Sequence, residues 1–294
     1  MGIPAKASLR LGVVGNRDYP DLVGVLQRLL AVAPSIGVDM HLEANLKEFA
    51  RDHELPMSSP EEVDALLTLG GDGTLLRGAR FLGGREIPVL GVNLGRLGFL
   101  SACGPDELET AVKRLVNGDY RGEARMKLEG RPGESEDPRR WYALNDIVLH
   151  KAGKARVIWL RVEVDGEEVA SYAADGIVMS TPTGSTAYNL SVGGPVVVPG
   201  HSSIIIAPIS AHALSIRPVV VGPDVTIVVH ADDDGTERLV TVDGQVGATL
   251  GMSETLMVRK ASRSVILVRF PEMTFFTRMR RKLGWGLPPE DTRA

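Results

Sequence analysis

Thr68-Leu69-Gly70-Gly71-Asp72-Gly73-Thr74 decides how the rest of the chain is read. It closes an apolar run, Val63 to Leu69, and passes at once into a helical pattern, Leu75 to Leu82. A strand, a glycine cluster and a helix start in that order make a junction ready for an anion. Backbone N–H groups at a helix start lack intrahelical partners, and glycines let a phosphate come close to them. Asp72 does not fit that role, because a carboxylate repels phosphate. It must instead take a proton, bind a metal or hold a sugar hydroxyl. Donors for phosphate beside a base point to phosphoryl transfer to an alcohol. The same residues also suit a tight turn whose aspartate caps the helix.

The pattern on either side is α/β. Leu9 to Gly15 reads as a strand, and Asp21 is placed to cap a helix with the apolar face Leu22, Val25, Leu26, Leu29 and Leu30. Gly37 to Leu42 is a second strand, Leu46 to Ala50 a short helix, and Ile87 to Val92 a fourth strand after Val63 to Leu69. Pro105 opens a helix that runs to about Val116. Alternating strands and helices predict a mainly parallel, doubly wound sheet. Ligands of such sheets bind beyond the carboxyl ends of the strands, where the glycine junction would lie. There is no G-x-G-x-x-G and no G-x-x-x-x-G-K-[ST], so neither the dinucleotide fingerprint nor a P-loop accounts for it.

From about Tyr120 the texture becomes strand after strand. Arg140 to His150 and Val157 to Val164 alternate, and Asp165-Gly166 is a hairpin turn. Ser203 to Ala207, Val219 to Val221, Val225 to His230, Arg238 to Val242, Leu256 to Lys260 and Val265 to Phe270 follow. Gly130 to Arg139 reads as an exposed loop. The expected organisation is an α/β domain over residues 1–122, a mostly-β, sandwich-like domain over 123–270, and a tail over 271–294 that packs back on the first domain. The tail's basic cluster, Arg278, Arg280, Arg281 and Lys282, is expected to be a solvated helix face.

Composition narrows the classes. A hydrophobic content of 44% against 24% charged residues suits a globular chain, and 294 residues are enough for two domains and a substantial core. The formal charge of −4 offers no electrostatic reason for a nucleic-acid partner. The single Cys103 excludes an intramolecular disulfide and a multi-cysteine zinc site, and fits a reduced, cytoplasmic setting. No apolar run approaches the ~18 residues that suggest a membrane span. Residues 1–8 lack the apolar centre of a signal peptide. Met1-Gly2 resembles a myristoylation start, but Lys6 stands where Ser or Thr is wanted.

Three more stretches are unusually polar for their surroundings. Asn145-Asp146 interrupts Leu144 and Ile147, Asp175-Gly176 precedes Ile177-Val178-Met179, and Ser180 to Tyr188 is dense in hydroxyls with an aromatic at its end. Hydroxyls can donate to phosphates and amides, and Tyr188 can offer a ring face to a base. Taken singly, each also has a structural explanation: a bulge, a turn and a capped helix start.

Together with Gly70 to Thr74, these stretches resemble the NAD kinase family, whose members phosphorylate the adenosine 2′-hydroxyl of NAD. The resemblance extends through Val13-Val14-Gly15-Asn16, Asn93 to Leu100, Leu144-Asn145-Asp146, Asp175 to Tyr188, Pro208 to Pro218 and Asp243-Gly244-Gln245. The glycine-aspartate motif alone is shared with diacylglycerol and sphingosine kinases and, more loosely, phosphofructokinases; the Thr181 to Tyr188 segment is more specific. Asp146 stands where Glu is commoner, and Ala211 replaces a frequent proline.

What the resemblance implies is specific. Asp72 is the general base for attack on the terminal phosphoryl group of ATP or polyphosphate, and Gly71, Gly73 and Thr74 line the phosphate path. Mg²⁺ accompanies the donor, without a dedicated protein metal site. Asn145 and Asp146 hold ribose hydroxyls or adenine. Asp175 and Thr183 lie near the nicotinamide half, with Thr186, Ala187 and Tyr188 around its ring and ribose. Phe99 is either an apolar wall beside the substrate or a core residue. Asp243 either contacts substrate or forms the turn with Gly244, and Gln245 belongs to the same motif. His212 and Arg217 are either structural or bind the donor. The implied partners are NAD and the phosphoryl donor, without nucleic acid or membrane, in a homodimer or homotetramer. Two rivals use the same residues: a lipid kinase, and an NAD(H)-sensing module in which Asp72 only grips ribose.

Overall fold

The computed structural model describes residues 8–50, 59–96, 98–133, 137–151, 157–213, 215–231, 237–251 and 254–286. The Met1-Gly2 start, Leu97, Leu214 and residues 134–136 of the expected loop lie outside them. The chain forms two compact units, residues 1–124 with 265–294, and residues 125–264. No helix of the described residues is long and apolar enough to cross a membrane.

The first unit alternates as its sequence dictates: β1 (Leu9–Gly15), α1 (Leu22–Val32), β2 (Val38–Leu42), β3 (Ala65–Leu69), α2 (Asp72–Phe81), β4 (Pro88–Val92), α3 (Leu108–Val116) and β5 (Arg121–Arg125). β1 pairs in parallel with both β2 and β3, and β3 with β4. The strand period of two divides β3 cleanly. Leu67 and Leu69 share one core with Leu22, Val25, Leu26 and Leu29 of α1 and Leu108, Val112 and Leu115 of α3. Leu66 and Thr68 face α2, where Gly78 lets helix and strand approach so closely that a Cβ there would lie 2.7 Å from Thr68 and 3.0 Å from Leu66. Helices therefore cover both faces of the sheet, the doubly wound arrangement. Asp21 precedes α1 without a side-chain capping hydrogen bond, unlike the expectation.

The second unit contains β6 (Leu128–Pro132), β7 (Trp141–Ala143), β8 (Asp146–Lys151), β9 (Ile158–Val164), β10 (Glu167–Ala174), β11 (Gly176–Ser180), α4 (Tyr188–Ser191), β12 (Ile204–Ile209), β13 (Val219–Val221), β14 (Thr226–Ala231), β15 (Arg238–Val242), β16 (Gln245–Leu250) and β17 (Leu256–Lys260). These strands form two six-stranded sheets, ordered β10-β9-β14-β17-β6-β7 and β13-β12-β11-β8-β15-β16. Neighbours pair antiparallel throughout the recorded registers. Ile158, Leu160 and Val162 of one sheet and Ile147, Ile177 and Met179 of the other meet in a common core. That is a sandwich. Asp165 (φ 52°) and Gly166 (φ 84°) make the left-handed pair of the β9–β10 hairpin turn.

Three stretches differ from expectation. Gly130 to Pro132 is strand rather than exposed loop: Pro132 pairs with Leu256, and a Cβ on Gly130 would lie 2.8 Å from Ile147. The expected strand Arg140 to His150 breaks in two at Leu144-Asn145. The chain rejoins the first unit one strand earlier than residue 271. β18 (Val265–Arg269) pairs in parallel with β4, between β4 and β5, before the terminal α5 (Phe275–Leu283).

Candidate active site

In the first unit the chemistry gathers at the carboxyl ends of β1, β3 and β4. The Asn16 N–H donates to the Leu69 carbonyl at 3.0 Å, and the Gly70 N–H to Val92 at 3.0 Å. These bonds fix where α2 begins. Asp72 is the first residue of that helix, with Gly71 as its cap. Its carboxylate reaches the loop after β4, accepting from the Phe99 N–H at 2.7 Å and the Leu100 N–H at 3.0 Å. Two backbone donors hold the charge in one orientation while the side chain stays 26% exposed. Gly98 makes the approach feasible: a Cβ there would lie 2.0 Å from a carboxylate oxygen of Asp72. Gly70 is needed similarly, since its Cβ would lie 2.2 Å from the buried Thr74 hydroxyl.

The 99–101 turn is itself anchored from the C-terminal end of the chain. Arg269 of β18 donates to the carbonyls of Leu100 at 2.6 Å and Ser101 at 3.2 Å. Arg278 of α5 donates to the Phe99 carbonyl at 2.8 Å. Lys282 of α5 lies 3.7 Å from Asp72 and 5.0 Å above the Phe99 ring, which also meets Phe275 at 6.3 Å. Phe99 is 92% buried by this packing, and its N–H is a ligand of Asp72. The basic cluster expected to be a solvated face is divided by helix geometry. Arg278 is buried, whereas Arg280, Arg281 and Lys282 are exposed; Lys282, one turn after Arg278, is the exposed one that reaches Asp72. Tyr19 was also missed. It packs over the junction so closely that a Cβ on Gly71 or Gly95 would come within 2.9 or 2.8 Å of it.

In the second unit the polar stretches converge because β8 runs antiparallel to both its neighbours. Its first residue, Asp146, pairs with Ser180, the last of β11, and Ile147 pairs with Val242, the last of β15. Asn145-Asp146, Ser180 to Thr186 and Asp243-Gly244 thus share one end of one sheet. They are interlocked there. The Asp243 carboxylate accepts from the N–H groups of Leu144 at 3.1 Å, Asn145 at 2.7 Å and Asp146 at 3.3 Å. The Thr181 hydroxyl donates to the Leu144 carbonyl at 2.6 Å and accepts from the Gly184 N–H at 3.0 Å. A Cβ on Gly184 would lie 2.2 Å from the Asn145 carbonyl oxygen. Buried Arg125 donates to the Thr183 hydroxyl at 3.1 Å. Asp146 is buried, and desolvation, with the Asp243 charge adding to it, pushes its carboxyl up to about 7. The Gln245 side chain is exposed beyond the turn.

Elsewhere in that unit Asp175 and Tyr188, together with Val148, Lys151, Ile209 and Thr241, line one cavity of about 310 Å³. Lys151 pairs with Asp175 at 3.2 Å, and Tyr188 is 43% exposed. Thr186 and Ala187 are partly exposed just before it. His212 is tied by its N–H to the Ala173 carbonyl at 2.9 Å, and Arg217 lines a separate apolar cavity with Val162, Tyr172 and Ile206.

Comparison with known proteins joins the two halves. Residues 28–120 match the ATP-NAD kinase N-terminal domain and residues 144–270 the ATP-NAD kinase C-terminal domain. The NAD kinase of Gemmatimonas aurantiaca is 53% identical over 281 residues, covering 95% of this chain and 96% of that one. The NAD kinase of Heliobacterium modesticaldum is 41% identical over 285 residues, covering 94% and 99%. Among solved structures, an Archaeoglobus fulgidus NAD kinase in complex with ATP superposes with a TM-score of 0.74 at 27% identity, covering 94% of this chain and 98% of that one. Yeast NADH kinase complexed with NADH gives 0.88 at 24% identity, covering 96% and 89%, a likeness of fold. With a glycine-aspartate junction in one unit, an interlocked polar sheet end in the other, and relatives alike over nearly their whole length, this chain belongs to the NAD kinase family, the enzymes that phosphorylate NAD.

Proposed function

We propose that the chain transfers the terminal phosphoryl group of ATP to the adenosine 2′-hydroxyl of NAD, with Asp72 as general base. The observation that carries this reading is the Asp72 carboxylate, oriented by the Phe99 and Leu100 N–H groups at the start of a glycine-fronted helix. In the transfer, the 2′-oxygen bonds to the γ-phosphorus as the bond to the bridging β,γ-oxygen breaks. The hydroxyl proton passes to Asp72 and ADP leaves. Gly71, Gly73 and Thr74 front the phosphate path, because helix-start backbone donors suit phosphate oxygens. Asn145, Asp146, Asp175, Thr183, Thr186, Ala187, Tyr188 and the Asp243-Gln245 turn supply the NAD-binding set. Asp243 acts there by holding the 144–146 backbone.

Among the described residues no group of three or more His, Cys, Asp and Glu side chains forms a ligand set. We expect a Mg²⁺ ion to arrive on the donor phosphates and to keep several waters, without a dedicated protein metal site. The ion would offset phosphoryl charge. The reading includes a cytoplasmic setting, where NAD and ATP are at hand. It also includes a homodimer or homotetramer, for which the exposed Val219 and Val220 of edge strand β13 offer an unpaired margin.

The test crosses NAD and NADH as acceptors with ATP and polyphosphate as donors and scores NADP and NADPH. A positioned base is worth about 10²–10⁴ in rate, so Asp72→Asn should lose that much turnover while retaining NAD affinity by calorimetry. NAD binding without product from either donor would favour a sensing module. Normal turnover by Asp72→Asn would remove the base assignment.

A further inference from the structure

Lys282 is the cation paired with Asp72, and its surroundings indicate a second position for it. Its helix is firmly held. Thr274 caps α5 through the Thr277 N–H at 3.2 Å, and Arg278, one turn before Lys282, is bonded to the Phe99 carbonyl at 2.8 Å. The base of the Lys282 side chain is therefore fixed, with its stem running to a head above the Phe99 ring. The head itself is loosely engaged. Both Asp72 oxygens already accept backbone N–H groups at 2.7 and 3.0 Å, while the ammonium stands off at 3.7 Å and remains 38% exposed. A partly exposed pair at that distance contributes little to stability. Neighbouring cations are engaged differently: Arg269 and Arg278 on the carbonyls of 99–101, and Arg77 on Glu43 and the Gly15 carbonyl.

Resting on the kinase reading above, we propose that Lys282 is the side chain whose ammonium binds the oxygens of the phosphoryl group as it passes to the 2′-oxygen. It lies on Asp72 in the free chain and moves to the phosphoryl oxygens when donor binds. A hydroxyl poised on Asp72 lies about 2.6–3.2 Å from the carboxylate. The phosphorus it attacks is about 3–3.5 Å beyond that oxygen. An ammonium beginning 3.7 Å from the same carboxylate needs only rotation within its own stem to reach the equatorial oxygens. Those oxygens carry the spread charge of the transition state, and the lysine keeps its proton throughout. Asp72 and the donor thus compete for one cation until the donor arrives.

The competition makes the test specific. ATP binding is measured by calorimetry on the full chain, Lys282→Met, Asp72→Asn and the double variant; inorganic tripolyphosphate is a second probe without a nucleoside. Losing a charge-assisted contact should weaken ATP and tripolyphosphate alike by about tenfold to a hundredfold in Lys282→Met. Asp72→Asn should bind both more tightly than the unaltered chain, through relieved repulsion and through release of the lysine, and that gain should be clearly smaller in the double variant, where only the relieved repulsion remains. In turnover, Lys282→Met should lower kcat for phosphoryl transfer with NAD affinity unchanged, and Lys282→Arg should restore part of it. Unchanged phosphate affinity in Lys282→Met, or a gain from Asp72→Asn of equal size with and without Lys282, would overturn the proposal. A chain that shows the full binding cycle yet forms no NADP would instead overturn the kinase reading alone. A chain that binds neither probe would overturn both.

Discussion

Replacing Gly98 by alanine places one methyl group where the structure has no room for it. Its Cβ would lie 2.0 Å from one Asp72 oxygen, 2.5 Å from the carboxyl carbon and 2.8 Å from the other oxygen, whereas real Cβ contacts essentially never fall below 3.0 Å. Something must therefore retreat by an ångström or more. The start of α2 cannot, since β3 is paired on both sides and Gly70 is bonded to Val92. The 99–101 turn resists as well, because Arg269 and Arg278 grip its carbonyls. Retreat of either partner opens both N–H contacts of 2.7 and 3.0 Å. At about 1.5–3 kcal/mol for each hydrogen bond to a charged group, the loss is about 3–6 kcal/mol. If the carboxylate swings aside instead, stability falls less, but a base misplaced by about 1 Å costs on the order of 10² in rate. Urea unfolding and steady-state NADP formation measure the two together, with Gly104→Ala as a control because nothing lies within 4 Å of its Cβ. Gly98→Ala within about 0.5 kcal/mol of the parent, with kcat unchanged, would refute the argument; 0.5 kcal/mol is the range of featureless surface substitutions.

Other expectations follow from the same geometry. Gly24→Ala, on an exposed position of α1 with open space around its Cβ, should stabilise the chain by about 0.5 kcal/mol in urea or thermal unfolding. Leu67→Ala, fully buried in the first unit, should cost about 2–5 kcal/mol by the same measurement. Arg278→Met should lose about 1.5–3 kcal/mol, because the buried Phe99 carbonyl loses a charged donor, and should lower kcat by loosening the turn that orients Asp72. Asp146 gives a pH signature. Its carboxyl keeps a proton up to about pH 7 when folded but releases it near 3.9 when unfolded, so the native state binds more protons across that window and stability falls as pH rises through it. The fall is of order 4 kcal/mol and levels off above pH 7. Asp146→Asn should flatten the stability–pH profile in that window, which equilibrium unfolding between pH 4 and 8 would measure.

The local half of this fold was legible because local chemistry determined it. The apolar face of α1 is buried at all five positions named from its spacing, Leu22, Val25, Leu26, Leu29 and Leu30. The Asp165-Gly166 turn is left-handed at both residues, as a two-residue hairpin demands. What escaped is non-local. β18 reads like any other strand of the second half, and its pairing with β4 joins segments about 175 residues apart. Gly130 and Pro132 looked like loop residues because glycine and proline usually are; the glycine instead admits Ile147 across the sandwich.

The candidate site shows the same division more sharply. Motif residues could be read as chemistry: a carboxylate after glycines, hydroxyls after an apolar strand. Their supports could not, since nothing about an arginine in a β-strand or a lysine near the end of a basic helix says which backbone carbonyl or carboxylate it will meet. Helical spacing did hold part of the answer. Phe275, Arg278 and Lys282 recur at three and four residues, the period of one face, whereas Arg280 and Arg281 fall off it. Arg280, Arg281 and Lys282 of this run are exposed as a solvated face would be, and only Arg278 turns fully inward. The role of Gly98 needed the structure. The chain turns back beside β4 within Asn93 to Cys103, where Val92 and Cys103 form a bridge. A glycine inside so short an excursion commonly marks close approach by another group. Here that group is the carboxylate on which the chemistry is proposed to depend.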